Sequence, residues 1–280
     1  MKMVADLIIK IRNVVELQEF DLRRTLGAGG FGTCYEADFH GQQVALKKIN
    51  RTAKAKAAAQ SFKSETLPEI YGFTHRNIVR LITASNPNAE ERFIVQEFIE
   101  GRNLQQVIDD NDEAIEFGRY VNFAIDISSA LDYISQFEIV HLDLKPANVM
   151  LSMQGICKLT DFGCCQYAEK DPTTPVRSYL TGTFAYRAPE LLKGKSATAK
   201  ADIFSLGICM WQFWSREFPY NGMNQHAVIF RVCASNLRPS IPNDANINDE
   251  FKSLMKACWS GKLEERPTAK EVCVQLRSML

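Results

Sequence analysis

His141-Leu142-Asp143-Leu144-Lys145-Pro146-Ala147-Asn148 places a carboxylate, an ammonium and a carboxamide within eight residues, directly after the apolar pair Ile139-Val140. A carboxylate can accept a hydroxyl proton, an ammonium can neutralise a phosphate, and a carboxamide oxygen can ligate a hard cation. Those are the parts that phosphoryl transfer to an alcohol requires.

The composition around that stretch narrows the class. At 280 residues the chain is one large domain or two modest lobes, and either can bury a sizeable core. Charged residues make up 24% and apolar residues 46%, as in soluble globular proteins. With 33 basic and 33 acidic residues the formal net charge is zero, which argues against a nucleic-acid partner held by bulk charge. None of the eight cysteines forms a C-x-x-C pair, and Cys164-Cys165 are adjacent, so they read as reduced, mostly buried small hydrophobes of an intracellular protein. The start, MKMVADLIIKIRN, makes a poor signal peptide, because Asp6 interrupts its apolar run and no small-residue cleavage site follows. The longest apolar run, Phe204 to Trp214, is too short to span a bilayer and reads as a buried helix, so no membrane partner is expected. Asn50-Arg51-Thr52 matches a glycosylation sequon, and without secretion it reads as chance.

From residue 18 to 50, apolar and polar residues alternate between turn signals, the pattern of antiparallel strands. Leu26-Gly27-Ala28-Gly29-Gly30-Phe31-Gly32 lies between two of them, spaced as G-x-G-x-x-G. No helix pattern follows. Thr33 to Phe39 continues as strand, and Gly41 turns the chain into Gln43-Val44-Ala45-Leu46-Lys47. A dinucleotide-binding fold needs strand, glycines and helix in that order, so that reading fails. A glycine-rich hairpin that covers nucleotide phosphates with backbone N–H groups fits better. Lys47 ends a run of strand formers; a snorkelling lysine is the commoner fate, but the glycines ahead of it favour a phosphate contact.

Residues 53–63 are rich in helix formers. Glu65 and Glu69 stand on either side of Pro68, which is expected to break or kink the helix there. Ile78 to Thr83 and Arg92 to Phe98 read as two further strands around the turn Asn86-Pro87-Asn88. After Gly101 the periodicity shifts from two towards 3.6, marking a hinge between a β-rich and an α-rich lobe. A helix over 117–138 delivers the chain to the opening stretch. Two short strands follow, Val149 to Leu151 and Cys157 to Thr160, joined by a turn at Gly155, and then Asp161-Phe162-Gly163, thirteen residues after Asn148. Residues 164–187 lack apolar periodicity and read as a mobile surface segment, which closes on Gly182-Thr183-Phe184-Ala185-Tyr186-Arg187-Ala188-Pro189-Glu190. The remainder is helical by pattern.

Each of these motifs alone has a bland reading, since glycine clusters turn chains and loop aspartates are mostly solvated. Seven in one order at workable spacings resemble the protein kinases, from about residue 20 to 280. The resemblance implies an α+β fold, a single bilobal protein kinase domain over 1–280. Its small β-rich N-lobe would run over about 18–98, its hinge over 99–101, and its larger α-helical C-lobe over 102–280. It also implies ATP and Mg²⁺ as cofactors. On this resemblance Asp143 accepts or orients the substrate hydroxyl proton, Lys145 neutralises the γ-phosphate, and Thr183 links to both. Asp161 and Asn148 ligate magnesium, and Lys47, paired with Glu65 or, as the alternative, Glu69, holds the α- and β-phosphates. The nucleotide would further meet Leu26, Gly27, Ala28, Gly29, Gly30, Phe31, Gly32, Cys34, Ala45, the gatekeeper Gln96, and Glu97, Phe98 and Ile99 near the adenine. Arg266 would pair with Glu190, and Asp202 would anchor the catalytic-loop backbone. Lys145, two residues after Asp143, and Thr183 both imply serine/threonine rather than tyrosine acceptors.

Leu142 stands where most kinases carry an arginine that binds an activation-loop phosphate. Leucine cannot make that contact, so phosphorylation of Thr173, Thr174, Ser178 or Thr181 is not expected to be required through it. The runs HLDLKPANVM, KLTDFGCCQ, GTFAYRAPELLKG, TAKADIFSLGI and NLRPSI are similar to the Mos family of serine/threonine kinases. That similarity implies a cytoplasmic, monomeric MAP kinase kinase kinase acting on MAP kinase kinase in oocyte meiosis. Two other readings stand beside it: a Raf-like or mixed-lineage kinase, and a pseudokinase scaffold, which normally lacks Lys47, Asp143 or Asp161.

Overall fold

A computed structural model describes residues 15–29, 32–49, 55–169, 183–242 and 247–280. Gly30, Phe31, the sequon, and Thr173, Thr174, Ser178 and Thr181 lie outside the described residues. The chain divides into two compact units, Met1–Glu100 and Gly101–Leu280.

The first unit is built on strands β1 (Phe20–Ala28), β2 (Gly32–Phe39) and β3 (Gln42–Ile49), helices α1 (Ala55–Glu65) and α2 (Pro68–Gly72), and strands β4 (Leu81–Ala84) and β5 (Phe93–Glu97). The sheet order is β1-β2-β3-β5-β4, with antiparallel neighbours. His40 and Gly41, at φ 52° and 83°, form the two-residue turn between β2 and β3, the left-handed pair that matches strand twist in a tight hairpin. Because side chains alternate across a sheet, Ala37, Val44, Leu46, Phe93 and Val95 share one face and pack with Phe20 and Val15 as the core of this unit. The opposite face carries Cys34, Lys47 and Ile94 in register, with Glu36, Ala45 and Gln96 in the next row. Gly32 cannot be replaced cheaply: a Cβ there would lie 2.4 Å from the Lys48 carbonyl oxygen. Pro68 ends one helix and begins another, since a proline at the first helical position sacrifices no hydrogen bond. The fourth strand is shorter than its sequence pattern and starts only at Leu81.

The second unit comprises β6 (Gly101–Asn103), α3 (Leu104–Asp109), α4 (Phe117–Ser135), β7 (Ile139–Val140), β8 (Val149–Ser152), β9 (Cys157–Leu159), β10 (Gln166–Tyr167), α5 (Pro189–Leu192), α6 (Ala199–Ser215), α7 (Gln225–Ala234), α8 (Asp249–Cys258) and α9 (Ala269–Arg277). Every residue of α6 from Ala201 to Phe213 is buried, the mark of a helix that is apolar nearly all round and sits at the centre of its unit. Around it pack α4, with Phe123 edge-on to Phe213 at 5.8 Å, and α8, whose Trp259 end comes so close that Gly207 has no room for a side chain. Thr268 caps α9 in a reciprocal capping box with Glu271. At the other end of α6, Arg216 is left-handed at φ 59° and donates to the carbonyls of Val107, Ile108, Asp110 and Glu113, closing the end of α3. The segment read as loop over 164–187 contains β10, which pairs antiparallel with β7 and was too short to show a period. All eight cysteines are reduced thiols, five of them buried. Among the described residues no helix is long and apolar enough to cross a membrane.

Candidate active site

In the first unit, Lys47 Nζ donates to Glu65 Oε1 at 2.7 Å. Of the two glutamates considered from sequence, Lys47 thus reaches Glu65, the last residue of α1, whose side chain is 1% exposed. Ser61, one helical turn earlier, donates to the same oxygen at 3.1 Å. The sequence reading passed over Ser61; its i−4 spacing from Glu65 was the available signal. The pleat sets Cys34, Ala45 and Gln96 on the sheet face that carries Lys47. Leu26, Gly27 and Ala28 end β1, and Gly29 donates its N–H to the Gly32 carbonyl at 2.8 Å, closing the glycine turn. At the far end of the sheet, Glu97 Oε1 accepts from the Arg80 N–H at 2.9 Å, and Phe98 and Ile99 leave the strand half-buried.

In the second unit the opening stretch forms a compact polar cluster. Asp143 Oδ2 accepts from Lys145 Nζ at 2.8 Å and from Asn148 Nδ2 at 2.9 Å, and Oδ1 accepts from the Thr183 N–H at 3.2 Å. Lys145 Nζ also donates to Thr183 Oγ1 at 2.9 Å, so the ammonium joins Asp143 to Thr183, 40 positions apart. Asn148 Nδ2 donates a second time, to the Asp143 carbonyl at 2.8 Å. With the amide nitrogen committed to Asp143, the amide oxygen is the atom Asn148 can offer a cation. The Thr160 N–H donates to the Asn148 carbonyl at 3.0 Å, which brings Asp161 one residue from that backbone contact.

The loop carrying these groups is held from behind. Asp202, at the start of α6 and 2% exposed, accepts from the His141 N–H at 2.7 Å and the Leu142 N–H at 2.9 Å. Burial pushes the Asp202 carboxyl above the usual carboxylate range, while His141 and the two N–H donors pull it back. Leu142 is 7% exposed and left-handed at φ 65°, a conformation that costs an L residue of its shape and persists only where neighbours fix it. Asp161 is also left-handed, at φ 62°. His141, fully buried, meets the Phe162 ring edge-on at 4.9 Å and has Nε2 3.0 Å from the Thr160 carbonyl oxygen, tying the loop to the Asp161-Phe162-Gly163 turn. In the same unit, Arg266 makes a two-pronged pair with Glu190 at 2.7 and 2.8 Å and donates to the Ser260 and Lys200 carbonyls. Such a fully desolvated fork is the geometry that makes arginine the preferred buried partner of a carboxylate.

Among the described residues no group of three or more His, Cys, Asp or Glu could hold a metal ion. Asn148 and Asp161 supply one carboxamide and one carboxylate. That sparse oxygen set fits a divalent cation such as Mg²⁺, which keeps water and substrate phosphate in most of its positions.

Residues 20–276 match the protein kinase domain family. The chain is 42% identical over 266 residues to the serine/threonine-protein kinase mos of Patiria pectinifera, covering 92% of this chain and 74% of that protein. It is 37% identical over 287 residues to the proto-oncogene serine/threonine-protein kinase mos of Sus scrofa, covering 95% and 82%. Against the mouse protein of the same name, Mus musculus, it is 35% identical over 274 residues, covering 91% and 79%. The chain belongs to the protein kinase family, and within it to the Mos serine/threonine kinases. It is a protein serine/threonine kinase that uses ATP, a divalent metal and a protein substrate.

Proposed function

We propose that this kinase is a MAP kinase kinase kinase that phosphorylates MAP kinase kinase and drives oocyte meiotic maturation and arrest, as a cytoplasmic monomer using Mg²⁺. The Mos membership carries the pathway. The chemistry rests on one observation above the others: Lys145 Nζ bridges Asp143 Oδ2 and Thr183 Oγ1. Asp143 is the group that takes or orients the acceptor hydroxyl proton. Lys145, beside it, offsets charge on the transferring phosphoryl group, where the transition state spreads negative charge over its oxygens. Thr183 fixes both from the segment that leads into Pro189-Glu190. Lys47, drawn to Glu65, is the phosphate-binding lysine, and the backbone of the glycine turn between β1 and β2 covers the phosphates.

Asn148 and Asp161 would hold Mg²⁺, which supplies charge neutralisation on the β- and γ-phosphates when bound. Gln96, Ala45 and Cys34, on the sheet face of Lys47, would line the base end, with Glu97, Phe98 and Ile99 offering backbone to the adenine. Leu142 is buried and its N–H is given to Asp202, so the loop that carries Asp143 is held by α6 at the position where an arginine would bind a phosphate.

Transfer of labelled phosphate from ATP to purified, catalytically dead MAP kinase kinase tests the reading, with Lys47→Arg and Asp143→Asn as controls. Robust transfer that both controls lose is the expected result. Nucleotide binding without any transfer would replace the reading with a scaffold, and transfer confined to other proteins would replace the pathway with that of another cytosolic kinase.

A further inference from the structure

Gln212 is a fully buried amide in the most apolar helix of the protein, at 0% exposure. A glutamine in such a place must have both ends of its amide satisfied, and here both are. Its Oε1 accepts from the Tyr186 hydroxyl at 2.6 Å, and its Nε2 donates to Gln105 Oε1 at 3.1 Å. Gln105, on α3, in turn donates to the Asp109 carboxylate at 2.8 Å, and Asp109 is exposed. A hydrogen-bonded line therefore runs from the surface of α3, through the last turn of α6, to Tyr186.

Tyr186 ends the 3-10 turn Phe184–Tyr186, whose first flanking residue is Thr183. The turn closes with the Tyr186 N–H on the Thr183 carbonyl at 3.1 Å. Tyr186 is held at two points by α6: its carbonyl accepts from Ser205 Oγ at 2.8 Å and its hydroxyl donates to Gln212. Burial pushes the Tyr186 phenol up from its usual range, so it stays a donor at every working pH. Asp202, which holds the His141 and Leu142 N–H groups, lies on the same side of the helix. At 100° per residue, Asp202, Ser205 and Gln212 fall within about 80° of one another. One face of α6 thus grips the loop that carries Asp143 and the turn that carries Thr183.

We propose that Gln212 is a positioning residue for phosphoryl transfer: held by Gln105 of α3, it fixes Tyr186, and through the 184–186 turn it fixes Thr183 against Lys145 and Asp143. Gln212 touches neither substrate nor nucleotide. Its effect is on the alignment of Lys145 and Asp143 at the moment of transfer, so it belongs to kcat. The inference rests on reading Asp143, Lys145 and Thr183 as the catalytic group.

The test uses the whole chain and the best protein acceptor found for it. Gln212→Met keeps the volume and removes both hydrogen bonds; Tyr186→Phe deletes one oxygen; Gln105→Met breaks only the outer link. The expected result is a kcat lowered about tenfold by each of the first two, with KM for ATP within twofold of wild type and a melting temperature lowered by only a few degrees, as orphaning one buried polar partner requires. Gln105→Met is expected to lower kcat by a smaller factor in the same pattern. Because Gln212 and Tyr186 act as one unit, the double variant should be no slower than the worse single one. The proposal is overturned by a kcat within twofold of wild type, by losses that simply multiply in the double variant, or by losses that track a fall in melting temperature. If Gln212→Met does not fold, Tyr186→Phe carries the test. Asp143→Asn is assayed in parallel. Should it retain transfer, the catalytic assignment of the loop fails, whatever Gln212 does.

Discussion

The two polar groups of this kinase are assembled over different distances along the chain. Lys47 reaches a partner 18 residues on, from a strand to the end of the next helix. The Asp143 group adds to its local contacts with Lys145 and Asn148 partners 38 to 61 residues away, and the Glu190–Arg266 fork of the same unit spans 76. The first arrangement depends on where one helix, α1, ends. The second depends on the large unit having packed α6 at its centre, because Asp202, Ser205 and Gln212 all project from that helix. A small-unit site of this kind is adjustable by moving one element, while the large-unit site is fixed once its unit is folded.

Four measurements bear on that contrast, the first expected to have the largest effect. Asp143→Asn keeps the hydrogen-bonding shape and removes the charge, and is expected to lower kcat roughly 10³-fold, within the range of general acid–base contributions. Its melting temperature should stay near wild type, and a large drop would mean that Asp143 is there for stability. Arg266→Met leaves the Glu190 carboxylate buried without its fork and is expected to cost about 3–5 kcal/mol of unfolding free energy. Urea denaturation reads it directly. A loss below about 1 kcal/mol would show that the long-range fork is dispensable and would break the contrast.

Glu65→Gln weakens one charge-assisted contact, worth about 2 kcal/mol. The expected loss is about thirtyfold in kcat/KM for ATP with unfolding free energy barely changed; a loss as deep as that of Asp143→Asn would erase the difference between the two units. Combined alanine substitution of Thr173, Thr174, Ser178 and Thr181 should have the smallest effect, within about threefold of wild-type activity, because Leu142 has no group to bind a phosphate and Asp202 already holds the loop that carries Asp143. Inactivity restored only by phosphorylated protein would overturn that.

What was readable in advance follows the same division. Lys47, Asp143, Lys145, Asn148 and Asp161 stand in short local motifs, and the alternation of residues 18–50 was enough to set the first three strands of the sheet. Thr183 could be named from its own motif, but its bonds to Lys145 and Asp143 could not be read from a pattern, since nothing local encodes a partner 38 residues away. Gln212 was hidden by its surroundings: inside a run of apolar residues it looked like one polar exception on a buried helix. The two-residue strand Gln166–Tyr167 was too short for its period to register. The boundaries moved where turn chemistry competes with propensity, as at Pro68, which starts a helix as readily as it ends one.

Leu142 bears on how the protein is made. Its left-handed backbone is fixed by a carboxylate 60 residues further along the chain. A ribosome adding about 5–20 residues per second would need roughly 3–12 s to reach Asp202 after Leu142 has been joined. Through that interval the nascent chain already carries Asp143, Lys145 and Asn148, yet has nothing to hold them in array. The backbone of His141 and Leu142 therefore gains its carboxylate anchor only after α6 has been translated and packed.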